Sequence, residues 1–279
     1  MNKLELQKMA NEVRKGILTG VHAAKAGHPG GSLSAAEVFT YLYFEEMNID
    51  PKNPEDPDRD RFVLSKGHTA PGLYATLANR GYFPVEDLLT LRQIGSHLQG
   101  HPCKQHTPGI DMSSGSLGQG ISAACGMALA GKLRNKDYRV YTLLGDGEIE
   151  EGQVWEAAMF AAAKKLDNLV VIVDNNGLQI DGPIEEVNSP YPIDKKFESF
   201  NFHVINVEDG NDFDQLAAAF HEARETKGVP TAIIMKTVKG KGVSFMENQV
   251  SWHGSAPNDE QYEAAMEELK KVEEALCQK

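Results

Sequence analysis

The chain is short of the materials that several protein classes need. Three cysteines, Cys103, Cys125 and Cys277, among 279 residues do not make a disulfide framework, so a reducing cytoplasm is the expected setting. No run of about 18 apolar residues occurs, and no membrane span is expected. The opening MNKLELQKMANEVRKG reads as a polar helix without the apolar stretch of a secretion signal. Positive charge is also scarce: 28 Lys and Arg against 40 Asp and Glu give a net charge of −12, which argues against nucleic acid as a partner. A small anionic ligand stays open, because a metal or histidines can supply positive charge locally. Repeats and low-complexity segments are missing. With 41% hydrophobic and 24% charged residues, the chain has the balance of a folded protein able to bury a core.

Residues 3–26 carry helical spacing in Leu4, Met9, Val13, Ile17 and Val21. The run Gly27-His28-Pro29-Gly30-Gly31 should stop that helix. Ser34 is placed to cap the next one, with Glu37 completing a capping box. Residues 51–60 form a Pro- and Asp-rich loop. Strands are expected at 61–65, 138–144, 169–174, 202–207 and 231–238. Helices are expected after residue 68 and at 121–134, 154–166 and 212–226. The Gly-, His- and Ser-rich stretch 94–120 is too long for an idle connection. Strands alternating with helices predict an α/β fold of three layers, α/β/α, around a mostly parallel sheet. Ligands in such sheets bind beyond the carboxyl ends of the strands. The last stretch predicts an amphipathic helix within 255–279, with Tyr262, Met266, Leu269, Val272 and Leu276 on its apolar face.

Gly145-Asp146-Gly147 follows the strand YRVYTLL, and the strand LVVIVD ends in Asn175-Asn176. Thirty residues separate Asp146 from Asn176, room for a crossover helix and a parallel return strand. Both polar ends then emerge side by side. A carboxylate, an amide oxygen and a nearby carbonyl suit Mg²⁺, which keeps few protein ligands and shares the rest with phosphates. A dinucleotide fingerprint would need Gly where Glu150 stands, and no Gly-Lys-Ser/Thr phosphate loop is found. A bland alternative makes GDG and NN two tight turns.

GDG and NN at this spacing resemble the signature of thiamine diphosphate enzymes, and the remaining motifs resemble the transketolases. These are AGHPGGSLSAAE (26–37), DRFVLSKGHTAPGLYA (60–75), GHP (100–102), SSGSLGQGISAACGMA (113–128), GDGEIEEGQVWEAA (145–158), DNNGLQIDG (174–182) and SWHG (251–254). The resemblance covers nearly the whole chain, but only the diphosphate-binding (PP) domain of a transketolase. It implies one PP domain over residues 1–279 and a partner subunit with the pyrimidine-binding and carboxy-terminal domains. A dimer of the pair is implied as well. The implied activity is transfer of a two-carbon ketol unit from a ketose to an aldose, both sugar phosphates in the family, with thiamine diphosphate and Mg²⁺.

The resemblance also assigns residues. Asp146 and Asn176 would bind Mg²⁺ by side-chain oxygens and Leu178 by its carbonyl. Gly147 would donate its N–H to the diphosphate, with Gly145 in the same turn. His68 and His253 would lie near the diphosphate and reacting centre. His28 and His101 would contact substrate hydroxyls and move protons, a task suited to imidazole. Leu117 and Ile180 would pack on the cofactor rings, and Gly115 would contact the aminopyrimidine. At 116 this chain has Ser where many family members have Pro. Glu151, counted with the cofactor-binding residues, and Glu156 resemble glutamates that join two active sites across a dimer interface; their plainer reading is favourable charge in a helix's first turn. Lys239 and Lys241 either reach an anion or sit in a solvated loop. His22, His203 and His221 read as structural, and His97 and His106 have weaker claims. His101, Cys103 and His106 lack the second ligand pair of a zinc site. Two other functions stay in view. A chain of a 2-oxoacid dehydrogenase would lack the GHPG and KGH loops. A silent cofactor-binding homologue would be expected to lose Asp146 or Asn176.

Overall fold

The structure, a computed structural model, describes residues 1–278. Its helices are α1 (Lys3–Ala24), α2 (Pro29–Ser34), α3 (Ala36–Tyr41), α4 (Ala70–Arg80), α5 (Gln119–Leu133), α6 (Gly152–Ala163), α7 (Ile184–Asn188), α8 (Ile193–Ser199), α9 (Phe213–Glu225) and α10 (Asp259–Cys277). The strands are β1 (Arg61–Leu64), β2 (Val140–Gly145), β3 (Leu169–Asn175), β4 (Leu178–Gln179), β5 (Gly182–Pro183), β6 (His203–Val207) and β7 (Thr231–Lys236). Five strands pair in the order β1-β2-β3-β7-β6, every neighbour parallel, while β4 and β5 form a small antiparallel ribbon.

The alternation of side chains along each strand builds two cores. Val170 and Ile172 of β3 point into one with Tyr141, Leu143, Ile233 and Met235, covered by α1, α3, α4, α9 and α10. Val171 and Val173 point into the other with Val140, Leu144 and Ala232, covered by α5, α6 and α8. The sheet is therefore buried on both faces, as its near-continuous Val/Ile/Leu runs require. The expected three-layer α/β/α architecture is the observed one.

Three local expectations are corrected. Pro29 starts a short helix instead of the chain staying irregular through Gly31, because Pro fits the first helical turn and all six residues of α2 are buried. Ser34 consequently ends a helix and caps none; its hydroxyl donates to Asp174 at 2.6 Å. Glu37 makes no capping box, since both its oxygens accept from Arg14 Nη2, at 2.6 and 2.7 Å. On α10, Leu269 and Leu276 are buried but Val272 is 44% exposed, so it lies off the packed face. The cap of α10 is Asn258, in a capping box with Gln261. Residue 279, the end of the stretch expected to hold this helix, lies outside the described residues.

Candidate functional site

Parallel register sets the centre of the site. Gly145 at the end of β2 pairs with Asp174 in β3, and Asp146 N–H continues the ladder to Asp174 O at 3.2 Å. Asp146 is thus held beside the Asp174-Asn175-Asn176 tip. Its carboxylate accepts the Gly147 N–H at 2.9 Å and the Gly177 N–H at 2.6 Å. The second bond ties the two strand ends directly to each other. Asn176 donates Nδ2 to Asp174 at 3.3 Å, which leaves its amide oxygen, bonded only by the Leu178 N–H at 3.2 Å, on the other side. Asp146, Asn176 and Leu178 line one cavity of about 320 Å³.

Beneath this tip lies a buried charge network. Asp174 is wholly buried and Lys66 is 2% exposed. Lys66 Nζ bonds Asp174 and also donates to Gly31 O at 3.1 Å. Thr237 and Ser34 hydroxyls complete the carboxylate's shell. Burial opposes ionisation of Asp174, but Lys66 and these donors hold its pKa below the usual carboxylate value. Asp146 is less fully compensated: burial, then the neighbouring Asp174 charge, push it up to about 7 against the opposing Gly177 and Gly147 N–H bonds and the Lys66 charge. A divalent cation would stabilise its charged form, so the donor set fits a hard cation that needs more negative charge beside it.

Three imidazoles form the opposite wall. His68 and His253 stack with ring centroids 5.3 Å apart, and His28 stands edge-on to both, at 5.2 and 5.5 Å. Burial is the main cause that lowers all three, His28 to about 4 and His253 to about 3. These rings are neutral near pH 7, so the cavity's positive charge comes from lysines instead of the histidines. Lys239 supplies it along with Lys66. It is 2% exposed, lowered to about 8 chiefly by burial, and its Nζ reaches Leu178 O and His253 Nδ1, each at 2.8 Å. Lys241 stays outside, 3.7 Å from Glu247.

His28, His68, His253, Gly115, Leu117, Gly145, Asp146, Gly147, Asn176, Leu178 and Ile180 all line the cavity. Two expected site residues do not. His101 is exposed, with its ring against Gly115 and its carbonyl accepting from Tyr74. Glu151 is exposed at the start of α6, packed on Gly118. Gly147 spends its N–H on Asp146. Leu117 and Ile180 are 37% and 62% exposed, two apolar side chains held out at the rim. Lining residues that the motifs did not single out are Gly31, Lys66, Glu148 and Gln179. Glu148 is legible in hindsight, since it follows GDG and its carboxylate gathers the N–H groups of Gly118 and Gly145 at 2.9 and 3.0 Å. Of the histidines read as structural, His22 bonds Asp259 and His203 bonds Glu222, while His221 is exposed on α9. Among the described residues no three His, Cys, Asp or Glu side chains gather as a metal site, His101, Cys103 and His106 included.

A parallel α/β sheet with an acidic-amide pair at adjacent strand tips, facing buried cations and neutral imidazoles, defines a diphosphate-binding domain. The family description "Transketolase, thiamine diphosphate binding domain" matches residues 6–272. The chain is 47% identical over 269 residues to a 6-deoxy-6-sulfo-D-fructose transketolase subunit of Clostridium sp. (strain MSTE9), covering 96% of this chain and 98% of that one. It is 44% identical over 273 residues to an apulose-4-phosphate transketolase subunit of Phocaeicola vulgatus, covering 98% and 96%. Human transketolase is 46% identical over 250 residues, covering 89% of this chain but 39% of its own length. The crystal structure of Campylobacter jejuni transketolase superposes with a TM-score of 0.91 at 33% identity, over 97% of this chain and 43% of that one. The chain belongs to the transketolase family, as its thiamine diphosphate-binding amino-terminal part. It spans about two fifths of human transketolase and nearly all of the two bacterial subunits.

Proposed function

We propose that the whole chain is one cofactor-binding unit, the amino-terminal subunit of a split transketolase that is active only with a partner subunit. The observation that carries this is the convergence of Asp146, Asn176, Leu178, Lys239 and three histidines on one cavity. In this reading Asp146 and Asn176 hold Mg²⁺ by side-chain oxygens and Leu178 by its carbonyl. Lys239 faces the diphosphate. Leu117 and Ile180 at the rim meet the cofactor rings, with the partner closing over them. When bound, thiamine diphosphate supplies the nucleophilic carbon that carries a two-carbon ketol unit from a ketose to an aldose.

This chain's own side chains bind, orient and handle protons. His28 has a buried Nδ1 without a protein partner, and as a neutral ring it can exchange hydrogen bonds with a substrate hydroxyl. His101 at the cavity's edge takes the same role toward the incoming sugar. The relatives named for a sulfonated ketose and for a ketose phosphate favour a substrate with an anionic end. Glu151 and Glu156 lie outside the cavity, where they would meet a second copy of the pair. The test is to purify the chain alone and with its partner and to measure ketol transfer with Mg²⁺ and thiamine diphosphate. Activity of the pair and none of the lone chain is expected; full transfer by the lone chain would refute the reading. Oxidative decarboxylation of a 2-oxoacid by the pair, without sugar transfer, would replace it with a dehydrogenase.

A further inference from the structure

We propose that Lys239 is a positioning residue that fixes the tautomer of His253, so that His253 serves the cavity as a hydrogen-bond donor and never as a base. The proposal rests on the reading that this cavity takes a diphosphate and a sugar, and it assigns the chemistry of one wall.

The geometry is specific. Lys239 Nζ lies 2.8 Å from His253 Nδ1 and 2.8 Å from Leu178 O. An ammonium has donors and no lone pair, so the imidazole nitrogen facing it must accept. A neutral ring that accepts at Nδ1 carries its proton on Nε2. No described residue engages that second nitrogen in a hydrogen bond, and the ring lines the cavity. The N–H therefore turns toward the ligand space, matched to phosphate oxygens or to a sugar oxygen that gains negative charge.

Neither end of the contact is free to drift. A Cβ on Gly30 would come within 3.2 Å of Lys239 Cγ and 3.3 Å of Cε, so the stem runs directly over a glycine that has no side chain to push it away. The Lys239 carbonyl accepts the Asn248 N–H at 2.8 Å, and the next residue, Gly240, donates to Gly30 O at 2.9 Å. On the other side, His253 N–H bonds Val250 O at 2.9 Å, and Trp252 Nε1 anchors to Phe245 O at 3.1 Å. Stacking on His68 fixes the ring plane. His28 differs: its Nδ1 is buried with no partner, so no neighbour dictates where its proton sits. One lysine thus separates two histidines of the same wall into a fixed donor and a ring free to exchange roles.

The experiment is long-range ¹H–¹⁵N correlation on the full chain labelled with ¹⁵N-histidine, near neutral pH, with His253→Gln assigning the signal. The wild type is expected to show the proton on Nε2 of His253. Lys239→Met should let the two ring nitrogens converge toward the averaged shift of exchanging tautomers. Lys239→Gln, which keeps an N–H donor, should retain a pronounced Nε2–H bias. A wild-type ring protonated on Nδ1, or equal tautomers in wild type and Lys239→Met, would overturn the proposal. The wild-type spectrum decides even if a variant does not fold. Because it needs neither cofactor nor partner, it can fail while the transketolase reading stands, and the reverse.

Discussion

Replacing Lys66 by Met tests whether the buried ion pair holds up the floor of the site. Lys66 and Asp174 are 2% and 0% exposed, so solvent does little to screen their attraction. Met matches the stem of Lys and removes the ammonium. Asp174 would then keep three neutral donors, from Ser34, Thr237 and Asn176, and no cation. Breaking one partner of such a pair costs about 3–5 kcal/mol, which lowers the midpoint of thermal unfolding by roughly 5–9 °C in a chain of this size. The double variant Lys66→Met/Asp174→Leu removes both charges and should recover most of that loss, less about 1 kcal/mol for the Thr237 hydroxyl, which is left without its acceptor while Ser34 keeps Gly31 O at 3.1 Å. Urea and thermal unfolding of the four proteins close the cycle. The double variant carries a second readout: Asn176 loses the acceptor of its Nδ2, so its amide is free to turn, and Mn²⁺ binding should weaken although the protein is folded. A single substitution costing under 1 kcal/mol, or a double variant no more stable than Lys66→Met, would refute the reasoning.

Asp146→Ala should abolish divalent-dependent binding of thiamine diphosphate in the assembled complex; unchanged affinity by calorimetry would reject its role. His28→Ala or His101→Ala should lower kcat far more than cofactor affinity, and the opposite pattern would reassign both residues. His28 also makes a prediction about pH. Its folded pKa of about 4 lies below the ordinary 6.5, so the unfolded chain takes up a proton first as pH falls between those values. Stability should drop there by at most about 1.4 kcal/mol per pH unit, reduced by solvent screening. The wild type should therefore lose stability relative to His28→Asn between pH 6.5 and 4, measured by urea midpoints; parallel curves would contradict the shift.

Much of this was legible because local chemistry announced it. Parallel strands buried on both faces show as unbroken apolar runs, and LVVIVD is one such run. GDG and NN at strand ends and crossover spacing marked Asp146 and Asn176 as neighbours before any fold was known. The glycine-flanked histidines 28, 68 and 253 fall on one wall. What stayed hidden depends on pairings across the sequence. Lys66 meets Asp174 over a separation of 108 residues, which no local pattern records. Lys239 looked no different from Lys241, yet one is sealed under Gly30 and the other lies beside an exposed loop. Propensity misled at Pro29–Ser34, where burial of every residue overrides the reluctance of two glycines to enter a helix. Ser34 looked like a cap because a serine oxygen accepts well from the N–H groups of a helix's first turn; here Ser34 is itself the last residue of α2, and its hydroxyl donates to the buried Asp174 carboxylate.

The central claim is that two neighbouring strand tips hold a divalent cation against a diphosphate. The direct measurement is anomalous diffraction from crystals of the two-chain complex grown with Mn²⁺ and thiamine diphosphate. One anomalous peak is expected in bonding contact with the Asp146 carboxylate, the Asn176 amide oxygen and the Leu178 carbonyl, and next to the diphosphate. A peak elsewhere, or diphosphate density away from these three residues, would contradict it.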